Sequence, residues 1–412
     1  MAESIYPKLF TLMHSALFGV PFSESMTENE WQIMYEELSA QAVLSLPYDI
    51  AVQNPTIPSW LKSQWTRHTM SSVTAYYRVL HEQNELLNLL EEHQIPTAVL
   101  KGSTVAAYYP APSYRAVGDI DFLVPASLYA QAISVLKENG YSIIKEEDLE
   151  IEYAKHTAFI KDQITIELHG RPFRVESRAG KTIEQYLFSV MDEGLQNKKY
   201  VLVDESKIPR LPTVQTCLEL LLHMESHLKD GIGLKHIIDW MMFVHHELPD
   251  QVFEEVRPVL ERAGLTVFAK IVTKISRIYL GLPDTSPNGK RISWYNDVNQ
   301  GTCEAFMTYV LEQGNFGRKI AKYSEEERKS KGAKVIAQMH NPISFYRFLQ
   351  EYGLRNWELA RRNRFVRPFA WMYQVVKYFR ILINGGYKNI MRQTIQKGKK
   401  RMKMFDGLEL FK

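Results

Sequence analysis

From residue 1 to about 95 the apolar positions recur at helical spacing. In "VLHEQNELLNLLEEH", Val79, Leu80, Leu86, Leu87, Leu89 and Leu90 gather mostly on one side of a helix. Pro47, Pro55 and Pro58 mark a loop between helices. The period changes at Ile95-Pro96. "TAVL" reads as a short apolar strand, and "KGSTVAAYY" as a Gly-Ser turn followed by a helical stretch that Pro110 and Pro112 stop. "DIDFLV" is a second strand. "SLYAQAISVLKENG" is an amphipathic helix with Ser127 at its N-cap and Gly140 at its end. "YSIIK" and "HTAFIKD" predict further strands, and "QITIELHG" alternates with period two. Residues 96 to about 170 therefore predict a compact α/β unit. From about 213 the chain turns helical again, most clearly in "TVQTCLELLLHMESHL" and "LKHIIDWMMFVHHEL". Residues 252–280 and 301–313 continue as helices, with "PDTSPNGK" a turn between them. No internal repeat or low-complexity tract interrupts the pattern.

The fold class that follows is α+β: a mixed α/β core sheet between helical regions. Its expected divisions are an N-terminal helical region (1–95), the α/β core (96–210), a larger helical domain over the substrate side (211–350) and a C-terminal segment (351–412). With 412 residues, 45% of them hydrophobic, the chain can bury a sizeable core. Charged residues stand near the globular average, which argues against wholesale disorder. The net charge of +3 does not by itself imply nucleic acid. Cys217 and Cys303 make neither a disulfide framework nor a zinc pattern and read as free thiols. The N-terminus, "MAESIYPKLFTLMHSALFG", has Glu3 early and only Lys8 as a basic residue, unlike a secretory signal. Lys377 and Arg380 break the longest apolar run, Phe369 to Ile383. A cytoplasmic protein is expected, with peripheral contact to a membrane as an open addition.

Two carboxylates at the mouth of a strand need an explanation, because aspartate is depleted in strands and burying it is costly. Side chains two apart on a strand share a face, so Asp119 and Asp121 project together while Ile120 points into the core. The pair repels itself unless a cation lies between. Oxygen ligands so arranged suit Mg²⁺. In "QITIELHG", Ile164, Ile166 and Leu168 form the core face, and Thr165, Glu167 and His169 the other. If this strand lies beside the first, Glu167 reaches the same metals. Upstream, Gly102 permits a tight turn, and Ser103 with the following amides offers donors to an anion. Phosphate donors beside carboxylate-bound metal are the layout of phosphoryl transfer.

That order, Gly-Ser, then Asp-x-Asp, then a third strand acid, resembles the DNA polymerase beta-like nucleotidyltransferase superfamily. More narrowly, the chain is similar to the uncharacterised bacterial nucleotidyltransferase family. The resemblance rests on Leu100-Lys101-Gly102, Tyr109-Pro110, Arg115 and Gly118-Asp119-Ile120-Asp121. It continues in "IELHG", in "LLLHMESHLKDGIGLKHIIDW" and in "EQGNFGRK", spanning roughly residues 30–320. One departure is that the family's third acid is often Asp, whereas Glu167 is longer by a methylene. The resemblance implies transfer of a nucleoside monophosphate from an NTP to an acceptor, with release of pyrophosphate. It implies two Mg²⁺ ions, with Mn²⁺ as a substitute, held by Asp119, Asp121 and Glu167. Glu167 would also help to deprotonate the acceptor. Gly102 and Ser103 would cradle the triphosphate, with Lys101 and Arg115 as charge partners. The expected acceptor class is a small molecule, its identity unspecified. The competing reading is a non-catalytic nucleotide-binding or membrane-surface accessory protein on the same fold.

His223 and His227 stand i, i+4 on one helix face, a spacing that suits a metal. The stretch reads His-Met-Glu-Ser-His and lacks the H-E-x-x-H pattern, so cleft-lining or structural histidines are the favoured reading and a separate zinc site the minority one. Asp239 would anchor Lys235 or one of these histidines. His169 would orient Glu167 or meet phosphate, or else face solvent at the strand end. From Arg355 to Lys403 many Lys and Arg are interleaved with aromatics, and Glu358 is the only acid. This suits a solvated face, an anionic membrane surface or a nucleic-acid backbone. Its long apolar run favours membrane over nucleic acid.

Overall fold

The computed structural model describes residues 5–144, 156–170, 180–228, 231–319, 346, 349–350, 353–354, 356–363, 365–376 and 403–410. The chain forms two compact units, residues 1–316 with 410–412 and residues 317–409. In the first unit, α1 (Tyr6–Phe18) ends at Gly19, whose φ of 70° closes the last turn. α2 (Glu28–Ala40) opens with a reciprocal cap: the Thr27 hydroxyl accepts from the Glu30 amide, and the Glu30 carboxylate accepts from the Thr27 amide. The loop expected around the three prolines contains a short helix, α3 (Tyr48–Gln53), and Pro58 caps the start of α4 (Ser59–Glu92).

The core is a mixed sheet of β1 (Ala98–Leu100), β2 (Ile120–Leu123), β3 (Ser142–Ile143), β4 (His156–Lys161), β5 (Ile164–His169), β6 (Lys199–Val203) and β7 (Ser206–Arg210). Among the described residues their spatial order is β3-β4-β5-β2-β1-β7-β6. Four short connecting or flanking helices lie between them in sequence or beside them: α5 (Ser103–Ala106), α6 (Tyr129–Glu138), α7 (Gly180–Gln196) and α8 (Thr213–His227). One face of the sheet carries Val99, Ile120, Phe122, Ile164, Ile166 and Leu168. These join Tyr76, Leu80, Leu86 and Leu90 of α4 and Ala132, Val135 and Leu136 of α6 in one buried cluster. Burying an apolar side chain there contributes roughly 1.5–3 kcal/mol before entropy is counted. The period-two pattern then forces Asp121, Glu167 and His169 onto the opposite face.

Several local expectations are corrected. Ser127 does not cap a helix: Ala126–Leu128 form a 3-10 turn, and Leu128 precedes α6 with no side-chain cap. The stretch after Gly102 is helical only over Ser103–Ala106 and continues as turns. As expected, residues 252–280 are helical, as α10 (Asp250–Ala263) and α11 (Thr266–Leu280) separated at Gly264 with φ 66°. The expected helices α9 (Leu234–Glu247) and α12 (Gln300–Gln313) are present. The architecture is the mixed α/β core between helices that the sequence predicts. No helix of the described residues is long and apolar enough to cross a membrane. Of the basic aromatic segment, Arg355, Arg364, Tyr378, Phe379, Lys397, Lys399, Lys400 and Arg401 lie outside the described residues.

Candidate active site

β2 and β5 run parallel, with Asp121 opposite Glu167 and Leu123 opposite His169. This places the second acid of Asp-x-Asp beside the acid of the later strand. Ligating atoms of Asp121, Glu167 and His169 lie within 4.8 Å of one another. Asp121 is buried, with 3% of its surface exposed, and His169 is buried beside it. The His169 ring nitrogen Nε2 lies 3.1 Å from Asp121 Oδ1 and 3.6 Å from Glu167 Oε2. Of the sequence alternatives for His169, contact with the acids is the one realised. Asp119 stands half-buried just before β2. Burial, then the charges of Asp121 and Glu167, raise its carboxyl above the usual range, with Lys101 pulling the other way.

β1 pairs antiparallel with β2, Leu100 opposite Asp121, so the chain leaves β1 level with the acids. Lys101 adopts φ 39° and Gly102 φ 55° with ψ −122°. Positive φ is uncommon for a side-chain-bearing residue, and such strain concentrates at sites that need an exact direction. The turn brings Lys101 Nζ to 2.8 Å from Asp121 Oδ2. Burial opposes the lysine charge, but Asp121, Asp119 and Glu219 outweigh it and hold the ammonium above its ordinary value. Burial likewise opposes the Asp121 charge, and Lys101 and His169 hold it below the carboxylate range all the same. Ser103 donates its hydroxyl to Gln83 Oε1 at 2.7 Å, tying the turn to α4.

Arg115 is buried and grips Asp239 of α9 with two bonds, Nε to Oδ1 at 2.7 Å and Nη2 to Oδ2 at 2.8 Å. Tyr109 donates to the same Asp239 Oδ1 at 2.6 Å. The partners of Asp239 are thus Arg115 and Tyr109, and the residues before β2 are braced against α9. Two further groups also face the site: Glu219, absent from the sequence reading, and Lys235, expected only as a partner of Asp239. Glu219 of α8 is buried, and burial first, with Asp121 and Asp239 adding, pushes its carboxyl up to about 8 against the opposing pull of Lys101 and His169. Burial and then Arg115 lower half-buried Lys235 to about 8. The signal for Glu219 was its spacing: Glu219, His223 and His227 stand four residues apart on one side of α8, with Glu219 set in the apolar run Leu218–Leu222.

The donor set fits a divalent cation through Asp121 and Glu167, with Asp119 within electrostatic reach. Carboxylates suit Mg²⁺ or Mn²⁺, and His169 is better placed to orient Asp121 than to serve a hard ion.

Residues 27–281 match the family model described as "Uncharacterised nucleotidyltransferase", which covers more than half of the chain. The protein belongs to that family, and its sheet flanked by helices is consistent with a polymerase beta-like nucleotidyltransferase fold. No curated protein matches the chain. Among solved structures it is similar to the solution structure of the antibiotic-resistance factor ANT(2'')-Ia. The two share 11% identity, over 46% of this chain and 92% of that one, with a TM-score of 0.31.

Proposed function

We propose that the protein transfers a nucleoside monophosphate from an NTP to a small-molecule acceptor and releases pyrophosphate. The observation that carries this reading is the register of β2 against β5, which sets Asp121 beside Glu167 with Asp119 one strand step away. Asp119, Asp121 and Glu167 would hold two Mg²⁺ ions, or Mn²⁺ in their place. Such ions, when bound, neutralise the triphosphate and stabilise the attacking and leaving oxygens. Lys101 and the backbone of Gly102 and Ser103, on the turn that leaves β1 beside Asp121, would meet the triphosphate. Glu167, on the half-buried side of the set, would accept the proton of the attacking acceptor hydroxyl or amine. The acceptor atom bonds to the α-phosphorus, the bond to the β-phosphate oxygen breaks, and pyrophosphate leaves. Arg115, its charge engaged by Asp239, serves this reading as a brace of the segment before β2 against α9 and less as a direct charge partner of the triphosphate.

A screen of α-phosphate-labelled NTPs against small-molecule, protein and RNA acceptor pools, read by mass spectrometry, tests the reaction. Label transfer that depends on Mg²⁺ and falls by at least about 100-fold in Asp121→Asn is expected. NTP binding with no transfer to any pool would leave a nucleotide-binding protein, a reading favoured by the Lys101–Asp121 ion pair that already occupies one of the three acids. Residues 355–403 would add contact with an anionic membrane surface to an otherwise cytoplasmic protein.

A further inference from the structure

On the helical side of the site, three histidines converge that the transfer chemistry does not use. His223 and His227 lie one turn apart on α8, and His236 comes from the first turn of α9. Their ring centroids are 4.5, 5.4 and 5.7 Å apart, and one ligating nitrogen from each falls within 4.8 Å of the others. His236 is buried, with 5% of its surface exposed, and its Nδ1 has no hydrogen-bond partner among the described residues. A histidine buried for structural reasons normally satisfies both ring nitrogens. The backbone supports the convergence. Phe316 sits at φ 53°, ψ 36°, pinned by its amide to the Gly231 carbonyl at 2.9 Å. Its ring meets His227 and His236 edge-on, at 4.9 and 5.9 Å. The aromatic therefore walls one side of the trio.

We propose that His223, His227 and His236 form a site for a transition-metal dication, Zn²⁺ foremost, separate from the carboxylate set on the sheet. Imidazole nitrogens suit Zn²⁺, Cu²⁺ or Ni²⁺, whereas Mg²⁺ keeps to oxygen, so the two donor sets select different ions. Zinc bonds of about 2.0–2.1 Å to nitrogen in a tetrahedron set the donors about 3.3 Å apart, so the rings would close on the ion from their spacing within 4.8 Å. Three protein ligands leave a fourth position for water or for an acceptor atom, as in zinc sites that do chemistry. The proposal stands independently of nucleotidyl transfer.

The test uses the full chain stripped of metal with EDTA and then held in excess Mg²⁺. Zn²⁺ is titrated by calorimetry and Co²⁺ by visible absorption, in wild type, His223→Gln, His227→Gln, His236→Gln and Glu167→Gln. One Zn²⁺ per chain is expected, with the strong ligand-field bands of low-coordinate Co²⁺. Affinity should fall by at least about 100-fold in the histidine variants and stay unchanged in Glu167→Gln. Circular dichroism identifies any variant that misfolds, and the remaining histidine variants then carry the comparison. No Zn²⁺ binding by wild type overturns the proposal. So does equal affinity in folded histidine variants, or loss only in Glu167→Gln, which would assign the ion to the carboxylates.

Discussion

Lys101 changes what the two aspartates require. From spacing alone, their mutual repulsion calls for a metal ion. In the folded chain the Lys101 ammonium, 2.8 Å from Asp121, already supplies a positive partner, and the His169 ring a polar one. A divalent ion must therefore share the acids with a resident cation or displace it. Replacing Lys101 with Met should leave Asp121 buried without its main counter-charge, and breaking such a pair costs about 3–5 kcal/mol. The expected result is a lower thermal midpoint in EDTA that Mg²⁺ restores by more than it stabilises wild type. An equal Mg²⁺ response in both proteins would mean that Lys101 does not compete for the acids. Gly102 is the second sensitive residue. A Cβ there would meet nothing nearer than the Leu100 carbonyl oxygen at 3.7 Å, yet its φ of +55° with ψ −122° strains any L side chain. Gly102→Ala should cost roughly 1–3 kcal/mol in urea unfolding through the backbone alone. A loss below a few tenths of a kcal/mol would show that the turn relaxes freely.

At the scale of elements, α8 carries the site's least expected feature, the stripe of Glu219, His223 and His227 at intervals of four residues. That stripe was legible only in part: the two histidines stand out by spacing, but a lone Glu in "LELLLH" looks like a helix-surface residue until α8 is packed on the sheet. The same limit governs the strands. β2 and β5 show themselves by period two because one face of each is buried, and their acids follow from that period. The parallel pairing that joins them is a non-local contact that neither strand encodes by itself. The β6–β7 hairpin escapes notice because it lies at the sheet edge and exposes Tyr200 and Leu202, at 51% and 69%, which blurs the alternation. His236 is hidden for the reason that hides Glu219: its partners come from another helix. Glu219 makes this packing measurable. Burial raises it from 4.5 to about 8, so the unfolded chain loses this proton first. Its contribution to stability is complete below 4.5 and is lost as pH rises through about 8. His223 and His236 have the opposite sign below 6.5, because the unfolded chain protonates them more readily. Between 6.5 and about 8, in EDTA, the thermal midpoint of wild type should therefore fall relative to Glu219→Gln. Parallel pH profiles for the two proteins over that window would rule out a neutral buried Glu219.

The whole molecule divides its chemistry unevenly between its two units. Asp119, Asp121, Glu167, Lys101, Arg115 and the three histidines all belong to residues 1–316, and the family match ends at residue 281, inside the same unit. The segment 355–403 carries 14 of the chain's 50 Lys and Arg but one of its 47 Asp and Glu, so the remaining residues hold more acid than base. A near-neutral net charge thus conceals an acidic first unit and a basic tail region. Under the proposed function the two parts would meet different partners, a metal–nucleotide complex at the acids of the first and an anionic surface at the basic segment. A chain ending after Phe316 should keep a cooperative thermal transition and bind Mg²⁺–NTP with affinity close to that of the full chain. The full chain should float with vesicles containing phosphatidylserine at low salt and release them as salt rises, whereas the shortened chain should not float. Flotation by both would move the lipid contact to the first unit. Loss of nucleotide binding by a folded 1–316 chain would mean that the basic unit completes the nucleotide site. The two measurements separate a surface anchor from a contributor to catalysis, because an anchor alters where the enzyme acts and leaves its nucleotide affinity unchanged.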